Sequence, residues 1–167
     1  GRNVMAVTIE NDGSGATSFA AGKELDALSG DELKQLMQDI GLVGMGGAGF
    51  PTHVKYYPPE GKKIETVILN GAECEPYLTC DHRLMVEEPE KVILGLQAMM
   101  KAAGTDDGYI GIEVNKPDAI EILTKAAASD PRIKIVPLEV KYPQGEEKML
   151  IHAITGKVVP AGGLPVD

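Results

Sequence analysis

A glycine-rich segment followed by a lysine is the part of this sequence best suited to bind an anion. It reads GMGGAGFPT over residues 44–52, and Lys55 follows three residues later. Glycine lacks a Cβ and adopts positive φ easily, so successive N–H groups can converge on a phosphate while the lysine neutralises its charge. Phe50 could stack on a planar ligand bound there. Two structural explanations stay open: a tight turn packed under a helix, and a core position for Phe50.

A second group of polar side chains directly follows a short apolar segment. Residues 66–69 read TVIL, a predicted strand, and residues 70–76 read NGAECEP. Open α/β sheets bind ligands at the carboxyl ends of their strands, which is where this order places Asn70, Glu73 and Glu75. The Asn70 amide can donate to and accept from a heteroaromatic ring. The two glutamates have small neighbours, which favours an exposed or ligand-facing role with a neutral partner such as a ribose hydroxyl.

The cysteines and histidines allow two further chemistries, for which the sequence gives weaker support. Cys74 and Cys80 with Asp81 and His82 could form a metal site, but their spacing matches no common zinc pattern. A cysteine nucleophile with His53 or His82 as its base would need a third, orienting group that the sequence does not identify. We therefore predict no metal ligand and no catalytic residue.

Composition and charge exclude several classes of protein. The 167 residues carry a net charge of −9, and 16 Lys and Arg residues are scattered among 25 acidic ones, which argues against nucleic acid as a partner. No apolar run approaches the roughly 20 residues of a membrane-spanning helix. Two cysteines are too few for a disulfide scaffold, so we expect reduced thiols in a cytoplasmic setting. Because the chain begins without Met and ends in a loop, we expect a piece of a longer protein.

The apolar pattern predicts strands that alternate with helices. Ser29 and Glu32 have the spacing of a capping box at the start of a helix that Gly41 ends. Alternation of this kind gives right-handed crossovers, so the predicted fold class is α/β, a three-layer, mostly parallel sheet with helices on both faces. Strands are predicted at residues 4–9, 66–69, 109–114 and 133–136, and helices at 29–40, 81–85, 88–104, 117–127 and 146–155.

Four blocks of sequence occur in an order that is far more specific than any one of them. The blocks are residues 44–55, residues 70–77 with Asp81 and 83–85, GIEVNKP at 111–117, and YPQGEEK at 142–148 with TGK at 155–157. Together they resemble the flavin-bearing NADH-oxidising subunits, and most closely the C subunit of the bacterial Rnf electron-transport complex. The resemblance covers about the last three quarters of the chain.

The resemblance implies an FMN-binding domain of the complex I NADH-subunit type, with NADH as its substrate. It also implies roles for individual residues of this sequence. The FMN phosphate would be held by Gly46, Gly47, Gly49 and Lys55, the flavin by Asn70 and Glu73, and NADH by Phe50 and Glu75. The cofactor-binding set also includes Ala48, Glu113 and Glu146.

The same resemblance divides the chain and marks one departure from the family. Residues 1–13 would be the terminal strand of a preceding small β-rich domain, 14–28 a linker, and 29–167 the FMN/NADH-binding α/β domain, incomplete at its carboxyl-terminal end. The complex I relative has an aspartate where this chain has Ala72, so a flavin contact at this position is not carried over. Further asparagines of the family would lie beyond Asp167, so this piece could hold flavin weakly or not at all.

By resemblance, electrons would pass from FMN to 4Fe-4S clusters held by cysteines outside this chain. The protein would be a peripheral subunit on the cytoplasmic face of the bacterial cell membrane, and its partners would be other subunits of a membrane-associated Rnf complex. Two alternatives share the fold. One is a cobalamin-reductase-type flavoprotein of the same superfamily, and the other is a scaffold module that has lost flavin.

Overall fold

The computed structural model describes residues 5–19, 21–45 and 49–167. The strands are β1 (Val67–Gly71), β2 (Gly108–Glu113) and β3 (Ile133–Leu138), and the α-helices are α1 (Gly30–Asp39), α2 (Cys80–Glu87), α3 (Pro89–Ala103), α4 (Pro117–Ala126) and α5 (Glu147–Thr155). Short 3₁₀ helices lie at Leu25–Ala27, Thr52–Tyr56 and Ala127–Ser129. None of the described helices combines the length and the hydropathy that a membrane crossing requires.

The three strands form one parallel sheet in the order β1-β2-β3. Val67 pairs with Gly108, and Gly108 pairs in turn with Ile133, so the strands start level with one another. Ile110 and Ile112 of the central strand are fully buried, as expected for a parallel strand with an almost continuous apolar sequence. This alignment brings the carboxyl ends of all three strands to one edge of the sheet.

Helices cover both faces of this sheet. Gly108 and Gly111 of β2 lie three positions apart and therefore face opposite sides. A Cβ on Gly108 would overlap the Met100 sulfur of α3, whereas a Cβ on Gly111 would lie 3.0 Å from Leu150 of α5. Helix α3 thus packs on one face and α5 on the other. The predicted three-layer α/β fold with a parallel sheet is confirmed.

Two apolar clusters hold these layers together. The larger one joins the sheet to α3 and α4, and Leu96, Ile110 and Leu123 are among its fully buried members. The smaller one joins α1 to α3 and includes Leu33 of α1 and Tyr56, which follows the glycine-rich segment. Burial of each large apolar side chain contributes about 1.5–3 kcal/mol. The smaller cluster therefore anchors the chain just after the glycine-rich segment against α1.

The predicted capping box at the start of α1 is confirmed. Ser29 N–H donates to Glu32 Oε2 over 2.7 Å, and Glu32 N–H donates to Ser29 Oγ over 3.2 Å. The two bonds satisfy backbone donors that have no partner within the first turn of a helix. Gly41, with a φ of +68°, follows the helix and turns the chain toward the glycine-rich segment.

The strand predicted at residues 4–9 is wrong for residues 5–9. These residues form no helix or strand, and Met5, Val7 and Ile9 are exposed. A strand requires a neighbouring backbone to satisfy its N–H and C=O groups, and no described segment pairs with residues 5–9. The assignment of residues 1–13 to a preceding β-rich domain stays a prediction.

Two glycine substitutions test how α1 packs on α3, with opposite expected signs. A Cβ on Gly30, the first residue of α1, would lie 2.7 Å from the backbone carbonyl oxygen of Lys101 in α3. Because a backbone atom cannot give way cheaply, Gly30→Ala should lower the free energy of unfolding by about 1–3 kcal/mol. A Cβ on Gly95, inside α3, would meet nothing within 4 Å, so Gly95→Ala should raise it by about 0.5–1 kcal/mol.

Urea denaturation followed by circular dichroism measures both free energies. A Gly30→Ala protein as stable as the wild type would contradict the close packing of α1 on α3.

Candidate functional site

A cleft of about 430 Å³ opens beside the carboxyl ends of the strands. Its walls come from the loops that follow β1, β2 and β3 and from the start of α2. Three carboxylates, two lysines and a histidine give it a strongly polar lining. The lining residues are Glu73, Cys74, Glu75, Pro76, Leu78, Thr79, His82, Glu113, Asn115, Lys116, Val140, Lys141 and Tyr142.

A buried ion pair joins the walls of this cleft. Glu113, the last residue of β2, is 1 % exposed, and Lys116 is 7 % exposed. Lys116 Nζ lies 3.5 Å from Glu113 Oε2 and donates to Asn115 Oδ1 over 3.3 Å and to the Glu73 carbonyl oxygen over 3.4 Å. Glu113 Oε1 accepts from Lys141 N–H over 3.3 Å. The pair therefore connects the loops that follow all three strands.

A side-chain amide makes a second link between two of these loops. Asn70 Nδ2 donates to the Gly145 carbonyl oxygen over 2.8 Å, and Asn70 Oδ1 accepts from Ala72 N–H over 3.1 Å. A Cβ on Gly145 would lie 2.7 Å from the Ala72 carbonyl oxygen, so this close approach requires a glycine. These bonds use half of the capacity of the amide and leave one N–H and one lone pair for another partner.

Among the described residues, two buried side-chain oxygen atoms at this edge of the sheet have no hydrogen-bond donor. Glu73 is 8 % exposed, and its Oε1 accepts from Asp81 N–H over 2.9 Å, but its Oε2 has no partner within the described chain. Gln144, beside Gly145, is 1 % exposed, and its Oε1 is likewise unpaired among the described residues. Because an unsatisfied buried acceptor is costly, both atoms suit a bound group that offers N–H or O–H donors.

Carboxylates are concentrated where α2 begins. Ligand atoms of Glu73, Cys80 and Asp81 lie within 4.8 Å of one another. Burial, and after it the charge of Glu73, raises the pKa of Asp81, while the charge of Lys116 opposes this change. The start of a helix favours carboxylates, which accounts for their placement without a metal. The prediction that no residue binds a metal stays a prediction.

The acidic residues predicted for the cofactor site are partly brought together. Glu73, Glu75 and Glu113 all line the cleft, and Glu75 is exposed to solvent. Asn70 lies at the end of β1 and lines a smaller cleft of about 270 Å³. Glu146 has a local role, because its carboxylate caps α5 by accepting from the backbone N–H groups of residues 148 and 149.

The glycine-rich segment is described only in part. Gly46, Gly47 and Ala48 lie outside the described residues. Gly49 has a φ of +68°, a conformation that suits glycine. Phe50 is 49 % exposed and is neither a core residue nor a lining residue of either described cleft, and Lys55 is exposed and lines neither of them. The prediction that this segment and residues 70–75 line one cleft stays a prediction.

Sequence reasoning missed Lys116 and Gln144 as functional candidates. Both lie inside the sequence blocks that carry the family resemblance, but no individual role was predicted for either of them. A lysine directly before Pro117 and three residues after the strand-end Glu113 was an available signal for a pair across a tight turn. Nothing local marks Gln144, because its burial depends on the packing of its loop against the end of β1.

Known proteins resemble this chain in sequence and in structure. Residues 37–167 match the Nuo51 FMN-binding domain family. The chain is 51 % identical over 169 residues to the C subunit of the Na(+)-translocating ferredoxin:NAD(+) oxidoreductase complex of Acetobacterium woodii, covering 100 % of this chain and 38 % of that protein. It is 48 % identical to the C subunit of the proton-translocating ferredoxin:NAD(+) oxidoreductase complex of Clostridium ljungdahlii, covering 98 % of this chain and 36 % of that protein.

A crystal structure of an NAD+-reducing NiFe hydrogenase in the H2-reduced state is similar with a TM-score of 0.61 and 30 % sequence identity, covering 78 % of this chain and 25 % of that chain. This chain spans little more than a third of the length of each of these two relatives. The resemblance inferred from the four sequence blocks is confirmed.

Two aspartates in the first turns of the adjoining helices α2 and α4 should respond oppositely to neutralisation. Burial and Glu73 raise the pKa of Asp81, whereas a hydrogen bond with His82 lowers the pKa of Asp118. A raised pKa means that the charged form destabilises the folded state, so Asp81→Asn should increase the free energy of unfolding at pH 7. A lowered pKa has the reverse sign, so Asp118→Asn should decrease it.

The difference at Asp81 should shrink as the pH falls through its raised folded-state pKa and vanish below about pH 4, the usual pKa of an unfolded aspartate. The difference at Asp118 should persist at about pH 4 and fade only as the pH falls through its lowered folded-state pKa. Urea denaturation of both variants at pH 7 and near pH 3 measures them. Equal signs at pH 7 would contradict the electrostatics of the site.

Proposed function

This chain belongs to the Nuo51 FMN-binding domain family, and from this premise we propose that it binds FMN at the carboxyl ends of its strands, as the flavin segment of an electron-transfer subunit. The observation that carries the location is a pair of buried acceptors that have no hydrogen-bond donor among the described residues, Glu73 Oε2 in the wall of the cleft and Gln144 Oε1 in the loop after β3. A flavin ring and its ribityl chain offer N–H and O–H donors, so these residues fit the group.

The proposed contacts divide the ligand between two segments. Backbone N–H groups of the glycine-rich segment, together with Lys55, bind the phosphate. Asn70 and Glu73 bind the flavin, and Glu113 supports them from the end of β2. Because the chain carries a net charge of −9, an anionic phosphate needs a positive charge close to it. The exposed Lys55 supplies that charge.

NADH is the proposed second ligand. Phe50 and Glu75 are both accessible to solvent, and Glu75 lines the cleft, so they can meet a second ligand that enters from outside. When bound, FMN supplies hydride exchange with the nicotinamide and single-electron transfer onward. The protein supplies orientation and electrostatics, and none of its side chains is required as a general base.

The partners follow from the names of the relatives, which are subunits of ion-translocating ferredoxin:NAD(+) oxidoreductase complexes. We place the chain in a peripheral subunit of such a complex, on the cytoplasmic side of the membrane. Electrons would leave the flavin for 4Fe-4S clusters held outside these 167 residues.

A matched pair of lysine substitutions tests the phosphate contact. Lys55→Met should weaken FMN binding by about 10-fold or more, the usual loss for a hydrogen bond to a charged group. Lys63→Met, at another exposed lysine eight residues on, should change it less than twofold, which is within about 0.4 kcal/mol. Quenching of FMN fluorescence on titration with the intact protein gives both affinities. Absence of quenching by a longer wild-type chain that also includes the carboxyl-terminal part of the family's domain would favour the scaffold alternative.

The variant Glu75→Gln tests whether NADH and FMN are bound by different residues. Because Glu75 is assigned to NADH alone, the variant should keep the wild-type affinity for FMN while the KM for NADH rises about 10-fold. Anaerobic bleaching of the bound flavin by NADH measures the second quantity. Equal losses of FMN and NADH binding would contradict this division of the site.

A further inference from the structure

Lys116 is a buried cation at the base of the cleft. Its residue is 7 % exposed, and lysines are seldom buried to this extent unless they are paired. Its ammonium has three acceptors: Glu113 Oε2, Asn115 Oδ1 and the carbonyl oxygen of Glu73. Three acceptors match the three N–H groups of an ammonium, so its hydrogen-bonding capacity is fully used.

The contact of Lys116 with the Glu73 carbonyl oxygen connects two loops that are far apart in the sequence. We define the acidic loop as residues 72–79. Within the described chain, its other hydrogen bonds are local: Ala72 bonds to Asn70, Leu78 to Glu75, and Glu73 to Asp81. The bond from Lys116 Nζ to Glu73 spans 43 positions in the sequence and ties the acidic loop to the turn after β2.

Glu113 fixes the lysine that makes this contact. Its two oxygens accept from Lys116 Nζ and from Lys141 N–H, so the lysine is held against β2 and against the loop after β3 at once. The acidic loop itself has few internal restraints, and Tyr77 at its tip is fully exposed. The contact from Lys116 therefore reaches the acidic loop at Glu73, two residues before Glu75.

We infer that Lys116 is a positioning residue, whose buried ammonium holds the backbone of the acidic loop at the base of the cleft and thereby places Glu73 and Glu75 for the ligand. The consequence for the ligand rests on the proposed function. The effect on the loop does not, and it can be measured without flavin.

Cys74 is a reporter built into the acidic loop. It lies between Glu73 and Glu75 and is half-buried, whereas Cys80, at the start of α2, is exposed. Because Cys74 is partly covered in this structure, its alkylation should become faster when the loop opens, and its rate therefore rises with the population of the open form. Iodoacetamide labelling of the intact, flavin-free protein, read by peptide mass spectrometry, gives the rates at Cys74 and Cys80 separately.

A double variant removes the lysine ammonium. Glu113→Gln or Lys116→Met alone would leave one buried charge uncompensated, so the two changes are made together, which favours folding. In the double variant Glu113→Gln with Lys116→Met, Cys74 should react about 10-fold faster than in the wild type, as expected for the loss of a hydrogen bond from a charged group. The rate at Cys80 should stay unchanged.

Lys101→Met is the matched control, because Lys101 is a half-buried lysine that likewise donates to backbone carbonyls, but to those of Leu25 and Asp26 near α1. It should not alter the rate at Cys74. The inference is overturned if Cys74 reacts no faster in the double variant than in the wild type, or if Lys101→Met accelerates it as much as the double variant does.

Titration of the same proteins with FMN separates this inference from the proposed function. Faster Cys74 labelling in the double variant together with at least about 10-fold weaker FMN binding supports both. If Cys74 is labelled faster in the double variant but the wild-type protein binds no FMN, the positioning role is kept and the flavin assignment is removed. Unchanged labelling with normal FMN binding removes only the positioning role.

Discussion

The ion pair between Glu113 and Lys116 is the interaction on which the arrangement of the cleft depends. Three parallel strands deliver their loops to one edge of the sheet, but a shared edge does not fix the loops relative to one another. Glu113 contacts the loop after β3 through Lys141, and Lys116 contacts the loop after β1 through Glu73. Removal of one partner from such a pair leaves an uncompensated buried charge, which typically costs about 3–5 kcal/mol. Neither residue can therefore vary alone without disturbing the cleft.

This constraint connects the fold to the proposed chemistry. A flavin site needs polar groups that are held still before the ligand arrives, since ordering them during binding would reduce the affinity. The buried pair holds the acidic loop, and the bond from Asn70 to Gly145 holds the loop after β3 against the end of β1. The unpaired oxygens of Glu73 and Gln144 remain as acceptors in this fixed frame. A surface of high overall negative charge can then bind an anionic cofactor through locally placed donors.

The sequence predicted the elements well because their signals are local. A capping box at Ser29 and apolar strands followed by helices required no knowledge of distant contacts, and the parallel three-layer sheet followed from their alternation. The strand prediction for residues 5–9 was wrong because an apolar segment forms a strand only beside a neighbouring strand, and the local sequence does not show whether one is present. Lys116 and Gln144 were missed for a related reason, since their importance arises only when loops far apart in sequence converge. Glu146 was assigned to the cofactor from resemblance, and its observed contacts are those of a helix cap.

The central claim is that the glycine-rich segment and the acidic loop, remote in sequence, bind one FMN molecule together. Hydrogen–deuterium exchange of the intact protein, with and without saturating FMN, tests it most directly. The proposed site predicts slower amide exchange in both residues 44–55 and residues 70–75 when FMN binds. Protection of only one of these segments, or of neither while FMN is bound, would contradict the shared site.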